Sequence, residues 1–206
     1  MLRIWGRTSS INVRKVLWTA QELGLDFQRT DAGGSFGIVT TPEFLAMNPN
    51  ALVPLLEDGE FRLWESNVIV RYLCAKYASG RLYPDALPQR FDAERWMDWQ
   101  QTTLNQAGRW AFLQLVRTPP EQRDDAVIAR SAAAMAPLLA LLNDHLSRRP
   151  YMAGEQLTMA DVPIACEIHR WWGLPLARTT YPHLERWYQG LLARPASRGV
   201  LDLPLS

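Results

Sequence analysis

The apolar residues of this chain change their period once, near residue 80. Before that point short apolar runs alternate with helical patterns; beyond it the pattern is helical throughout. Such a chain must bury a small sheet in its N-terminal portion and helix faces in its C-terminal portion. "LRIW" (2–5) is a candidate strand. Val13, Val16, Leu17, Ala20 and Leu23 then recur at spacings of three and four. That spacing predicts a helix with one buried face, with Gly24 as its C-cap. "LDFQRT" (25–30) predicts a second strand. Thr41 as N-cap and Pro42 at the first helical position start a short helix over 41–47. "LVPLLED" (52–58) and "EFRLWE" (60–65) predict two strands joined by a tight turn at Asp58-Gly59. Ser66 is the candidate N-cap of a helix carrying Val68, Ile69, Tyr72 and Leu73 on one face. The order β-α-β-α-β-β-α describes a small mixed sheet covered by helices, not a doubly wound one.

"SGRLYPDALP" (79–88) interrupts the pattern with Gly and Pro-Asp. It predicts a linker over 80–87 between a domain of residues 1–79 and an all-helical one of residues 88–206. In the helical domain a long helix is expected over about 89–117, ending at Pro119-Pro120, and another over about 121–147, with Pro137 as a candidate kink. Thr158 and Asp161 in "LTMADVPIACEIHRWW" form a capping-box-like pair ahead of a third helix. "YPHLERWYQGLLAR" predicts a fourth. The 206 residues are enough for two compact domains.

Net charge is +1, which gives no footprint for nucleic acid or an anionic membrane. No apolar run is read as approaching the roughly 20 residues of a membrane span, and no signal peptide is read at the start. The expectation is a soluble cytoplasmic protein without a nucleic-acid or membrane partner. Cys74 and Cys166 stand apart and outside any CxxC, so neither a disulfide framework nor a zinc site is expected, and Cys74 is expected in the core. Of nine tryptophans, six (Trp96, Trp99, Trp110, Trp171, Trp172 and Trp187) lie in the expected helical domain, which suggests an aromatic-lined interior or pocket there.

Three short polar stretches carry the chemistry. In "GRTSSINVRKV" (6–16) Ser9, Ser10 and Asn12 stand where a strand passes into a helix. They either cap that helix or, beside its free N–H groups and positive dipole end, donate to an anion such as a thiolate. No GxSxG and no nearby His or Asp points to a serine hydrolase. Pro54 within an apolar strand marks an edge, or a cis bend that exposes the N–H and C=O of Val53 to a ligand. Glu65-Ser66 ahead of a helix is either a cap with an acid beside it or a pair suited to the ammonium and carboxylate of an amino acid.

Taken in order, these stretches resemble the cytosolic glutathione transferases over essentially the whole chain, and the theta-like and bacterial Nu-like members in particular. "NPNALVPLLEDGEFRLWESNVIVRYL" (48–73) is similar to the family's glutathione-binding stretch, "LTMADV" (157–162) to its capping box and "WQQTTL" (99–104) to theta-like members. The resemblance implies an α+β thioredoxin-like N-terminal domain, an all-α C-terminal domain and a homodimer. It implies glutathione as co-substrate, no metal, and a small hydrophobic electrophile as second substrate. Pro54 would be cis, Val53 would pair with the cysteinyl part of glutathione, and Glu65 and Ser66 would hold its γ-glutamyl end. Theta-like members carry a catalytic serine at the position of Ser10; Nu-like members use both this position and that of Asn12. Either is a candidate for the sulfur, with Ser9 a third. The N-terminal tyrosine of other classes is absent, since residue 5 is Trp and residue 7 is Arg, and so is a cysteine in this turn. No His or Lys lies in "GGSFGIVTTPEF" (33–44) to meet the glycine carboxylate; Thr40, Thr41 or a backbone N–H would substitute. Arg109, Trp110, Leu113 and Trp171 are the candidate walls of the second-substrate pocket. The implied activity is conjugation of the thiolate to an electrophilic carbon. The alternatives are a glutathione-dependent peroxidase or disulfide reductase, and a non-catalytic glutathione-binding protein.

Overall fold

A computed structural model describes residues 1–205; Ser206 lies outside it. Its sheet has four strands in the order β2-β1-β3-β4. β1 (Leu2–Trp5) runs parallel to β2 (Phe27–Thr30), pairing Leu2 with Phe27 and Trp5 with Thr30. It runs antiparallel to β3 (Leu55–Asp58), which pairs with β4 (Phe61–Trp64) through a turn at Gly59. A parallel pair needs a crossover. The crossover is α1 (Ile11–Glu22), the helix expected from the 3–4 spacing. Its C-cap is Leu23, and Gly24 follows in the left-handed region. On one sheet face Ile4 and Leu56 meet Val13 and Val16 of α1, with Ile69 and Leu73 of α3 (Ser66–Tyr77). On the other, Phe44 of α2 (Pro42–Met47) packs with Ala32 and Leu55.

Several boundaries differ from expectation. β2 starts at Phe27, and β3 starts at Leu55, so that the cis Val53-Pro54 peptide lies ahead of the ladder rather than within it. Ser66 is the first helical residue of α3 rather than its cap, and Glu65 stands at the cap with φ 72°. The expected helix over 89–117 is α4 (Leu87–Trp99) and α5 (Asn105–Phe112). A π-helical turn over Gln100–Leu104 separates them, and another follows over Leu113–Arg117.

α6 (Asp125–Ser147) starts after a short 3-10 turn, capped by Asp124, which accepts from Ala126 N (2.9 Å) and Val127 N (3.1 Å). Pro137 lies inside it. Contrary to the sequence expectation, α6 is long and apolar enough, by length and composition alone, to cross a membrane (23 residues, mean hydropathy 1.6). Here Met135, Leu142 and Leu146 bury one face of it in the bundle. α7 (Asp161–Trp172) and α8 (Pro182–Leu192) complete the helices. The buried Asp161 carboxylate accepts from Thr158 N, Met152 N and Trp187 Nε1, each at 2.9 Å. The capping pair read from the sequence is thus also a tie between a loop and α8. The tryptophans form no single pocket: Trp96 packs edge-on to Trp99, Trp172 edge-on to Tyr188, and Trp187 is spent on Asp161. Cys74 is in the core, where burial pushes its thiol up to about 12.

The two halves meet at a fully buried ammonium. Lys15 Nζ of α1 donates to Asn67 Oδ1 of α3 (3.1 Å), and to Gln100 Oε1 (2.9 Å) and Gln101 Oε1 (3.3 Å) of the first π-turn. Gln100 Nε2 donates on to Glu167 of α7 (3.3 Å), which pairs with Arg170.

Burial lowers the Lys15 pKa from 10.5 to about 8, partly offset by the charge of Glu167. Below pH 8 both the folded and unfolded states hold the proton. Between pH 8 and 10.5 only the unfolded chain binds it, so this group makes stability rise with pH there. Cys74 and Cys166, pushed by burial from 9.0 up to about 12, act with the opposite sign above pH 9. The difference between wild type and Lys15→Met isolates the lysine. We expect wild type to gain up to about 1.4 kcal/mol per pH unit relative to the variant across that window. Urea unfolding of both proteins checks this; a difference flat in pH contradicts it.

Candidate active site

The site begins where β1 turns into α1. Gly6 (φ 147°) makes the turn possible, because a Cβ there would stand 2.3 Å from Val13 Cγ2. Ser10 follows at the N-cap with extended backbone (φ −89°, ψ 120°). Its carbonyl accepts from Arg14 N (3.0 Å), but its hydroxyl makes no capping bond. Ser9 differs: its Oγ accepts from Arg7 Nε (3.0 Å). At the start of α3 no side chain caps the helix either, and Ser66 is buried. Away from the site, α2 and α6 are capped by Thr41 and Asp124. α4, α7 and α8 likewise start without a side-chain cap; what sets α1 and α3 apart is that Ser10 and Ser66 at their starts border cavities.

Both helix starts open on one polar cleft of about 360 Å³. Asn12 of α1 and Ser66 of α3 line it, with Val53, Pro54 and Glu65 between them. Arg109 and Leu113 form part of the opposite wall. A second, smaller cavity of about 180 Å³ lies on the other side of Ile11. Ser9 and Ser10 line this one, with Arg7, Arg14, Arg117, Cys166 and His169. Ile11, Phe112, Leu113 and Arg170 belong to both cavities and form the partition. Ser10 and Asn12 thus line different cavities that share these partition residues.

Three of the residues named from the sequence lie outside this arrangement. Trp110 is 55% exposed and lines neither cavity, because it stands one position round the helix from Arg109. Trp171 lines a separate cavity with Trp172, Leu139 and Leu176. Thr40 lines neither cavity, and its neighbour Thr41 is spent on capping α2.

Residues that the sequence reading did not assign take part instead. Asn48 and Asn50 line the large cleft. Asn48 Oδ1 accepts from Asn50 N (3.1 Å) and Nδ2 (3.0 Å), while its own amide donates to Leu52 O (2.8 Å). Their signal was the polar "NPN" just ahead of Val53-Pro54. Gln101, Asn105 and Gln106 come from the first π-turn and the helix after it. The arginines of the small cavity are spread over more than 160 positions and carried no local signal. Burial pushes the Cys166 thiol up to about 12. Among the described residues no three His, Cys, Asp or Glu side chains converge to hold a metal.

Chemically, the cleft offers two positive helix ends, a carboxylate at Glu65, several amides and free backbone groups beside Pro54. This set suits an extended peptide-like ligand with anionic and cationic ends.

The family model described as "Glutathione S-transferase, N-terminal domain" matches residues 1–75, and that for the C-terminal domain matches residues 125–190. The chain is 47% identical over 208 residues to the glutathione S-transferase GstB of Escherichia coli K12, covering all of both chains. It is 32% identical over 217 residues to glutathione S-transferase 3 of Zea mays, covering 99% of this chain and 95% of that one. Among solved structures it matches a theta class glutathione S-transferase from Xanthomonas axonopodis pv. citri with glutathione bound. That match has a TM-score of 0.96, 43% identity, and coverage of 100% of this chain and 99% of that one.

The free hydroxyl at the start of α1 has a consequence for stability. Ser10→Ala should cost less than about 0.5 kcal/mol, whereas Thr41→Ala, which removes a capping bond, should cost about 1 kcal/mol. Urea unfolding of both variants checks the contrast; a larger loss at Ser10 than at Thr41 contradicts it.

Proposed function

The chain belongs to the glutathione S-transferase family, and from that premise we propose how its two cavities work. The protein conjugates the thiolate of glutathione to an electrophilic carbon of a small organic molecule. Glutathione takes the large cleft. Its γ-glutamyl carboxylate meets Ser66 and the start of α3, and its ammonium meets Glu65. Its cysteinyl backbone pairs with the free groups of Val53 ahead of Pro54. For the glycine carboxylate we propose Asn50 in place of Thr40.

The sulfur lies at the partition, beside the start of α1. The observation that carries this reading is the Ser10 hydroxyl, which sits at an N-cap yet makes no capping bond. It donates to the thiolate, with the Asn12 amide in reserve across Ile11. Ser9 Oγ accepts from Arg7 Nε, which fixes its position but leaves its O–H free, so it stays a third candidate behind Ser10 at the N-cap. The thiol loses its proton to water. Each pKa unit of depression corresponds to about 1.4 kcal/mol of preference for the thiolate. The thiolate then attacks a carbon held in the small cavity. A C–S bond forms, and the leaving group departs with its electron pair.

We further propose residues 1–79 as the glutathione-binding domain, 80–87 as the linker and 88–206 as the domain supplying most of the second-substrate wall. A homodimer is supported by exposed apolar side chains on edge strand β4 and helices α3 and α4, namely Phe61, Trp64, Val68 and Phe91. A cytoplasmic, detoxifying role follows from the co-substrate, since glutathione is the thiol that keeps the cytosol reducing.

Ser10→Ala is expected to raise the pKa of bound glutathione by a unit or more, lowering the conjugation rate at neutral pH about tenfold. Asn12→Ala is expected to do less. Titration of thiolate absorbance and turnover of 1-chloro-2,4-dinitrobenzene measure both effects. If neither variant shifts the thiol or the rate, the sulfur lies elsewhere.

A further inference from the structure

The chain as a whole is nearly balanced, with 22 lysines and arginines against 21 acids. The small cavity is not. Four arginines and a histidine line it, and among the described residues no acid does. Only Arg170 has its charge answered, by Glu167. Arg7, Arg14 and Arg117 have no carboxylate within salt-bridge distance among the described residues.

Each of these three is held in place by contacts other than a carboxylate, although the charge of Asp202 reaches Arg14 from beyond salt-bridge distance. Arg14 is buried, and its guanidinium donates to the carbonyls of Thr8 (2.7 Å), Leu203 (3.1 Å) and Pro204 (2.7 Å). Arg7 donates to Ser9 Oγ and lies against the Gly33-Gly34 turn, where a Cβ on Gly34 would stand 3.0 Å from its Cζ. Arg117 lies at the exposed rim, its Cζ 5.6 Å from the centre of the Phe112 ring. Burial, and then the charge of Arg7, push the pKa of Arg117 down. One guanidinium at a rim is ordinary. Three around one small cavity repel each other, and their common field favours an anion inside it.

Size and polarity narrow the ligand. A cavity of about 150 Å³ takes a benzene ring, so about 180 Å³ takes a ring with small substituents. Phe112, Leu113 and Leu205 supply apolar wall for the ring, and Ser10 borders the same space.

We propose that the second substrate is an anion: a small electrophile of about one ring, whose carboxylate is received by Arg7 and Arg117 while its reactive carbon faces Ser10. This rests on the transferase reading above, and it changes the expected substrate from a neutral hydrophobic molecule to an acidic one. Arginine suits the task because its fork meets both oxygens of a carboxylate. In the step itself the thiolate sulfur bonds to the carbon. The carbon–halogen bond breaks, the halide leaves with the electron pair, and the thiol proton has already gone to water.

Two probes of matched size and leaving group test this: 4-(chloromethyl)benzoate and 4-(chloromethyl)benzamide. Wild type is expected to favour the acid by about tenfold or more in kcat/KM, the scale of one charge-assisted contact. In Arg117→Gln that ratio is expected to fall at least about fivefold, carried by KM, and Arg117→Lys should restore part of it. Because Arg117 is at the exposed rim, neither variant threatens the fold. Equal rates on acid and amide, or a ratio that Arg117→Gln does not move, overturn the proposal. Conjugation of 1-chloro-2,4-dinitrobenzene in the same preparation shows that such a failure concerns the anion and not the transferase reading. Loss of all three conjugations in wild type overturns both.

Discussion

The buried ammonium of Lys15 is the contact that sets the rest of the site in one frame. A charge removed from water is costly unless every donor finds an acceptor. Here the acceptors are amide oxygens from two other elements, Asn67 of α3 and the Gln100-Gln101 pair of the π-turn. Satisfying the ammonium therefore fixes α1 against α3 and both against the helical half. These same elements supply part of the lining of the large cleft, and the 48–54 loop and α7 supply more. The π-turn matters for a geometric reason. Successive residues on an α-helix point about 100° apart, and the wider turn brings two of them onto one Nζ. It also feeds directly into α5, which carries Arg109 and Phe112.

From that frame the two cavities divide the chemistry. The large cleft is lined by amides, a serine and a carboxylate, and so suits a ligand with charges at both ends. The small cavity is lined by guanidiniums and apolar side chains, and suits something compact and negative. Ile11 and Phe112 separate them, and the start of α1 touches both. A nucleophile placed there is bound on one side and meets its target on the other. The helix end serves two purposes in this scheme: its dipole favours the thiolate, and its free hydroxyl supplies the donor.

Much of the fold was legible because period and punctuation are local. The 3–4 spacing of Val13, Val16, Leu17 and Ala20 names α1, and Asp58-Gly59 names the hairpin. What failed depended on tertiary context. The run 52–58 has strand character throughout, yet its first three residues belong to the bend at Pro54. The π-turns keep helical backbone angles and so leave no trace in an apolar pattern. Of the residues named from the sequence, Asn12, Val53, Glu65 and Ser66 line the large cleft and Ser10 the small cavity, and each sits at a change of element. Trp110 and Trp171 line neither of these two cavities, because residue type says nothing about which side of a helix faces a cavity. The arginines were hidden for the opposite reason: Arg7 and Arg117 are far apart in sequence, and a net charge of +1 conceals a local concentration of one sign.

The proposed chemistry turns on glutathione spanning the large cleft with its sulfur at the partition. A crystal structure of the protein soaked with glutathione decides this. The sulfur is expected within hydrogen-bonding distance of Ser10 Oγ, and the γ-glutamyl carboxylate on Ser66. A sulfur on the far side of Asn12, away from the small cavity, or a tripeptide that leaves Glu65 and Ser66 untouched, would contradict it.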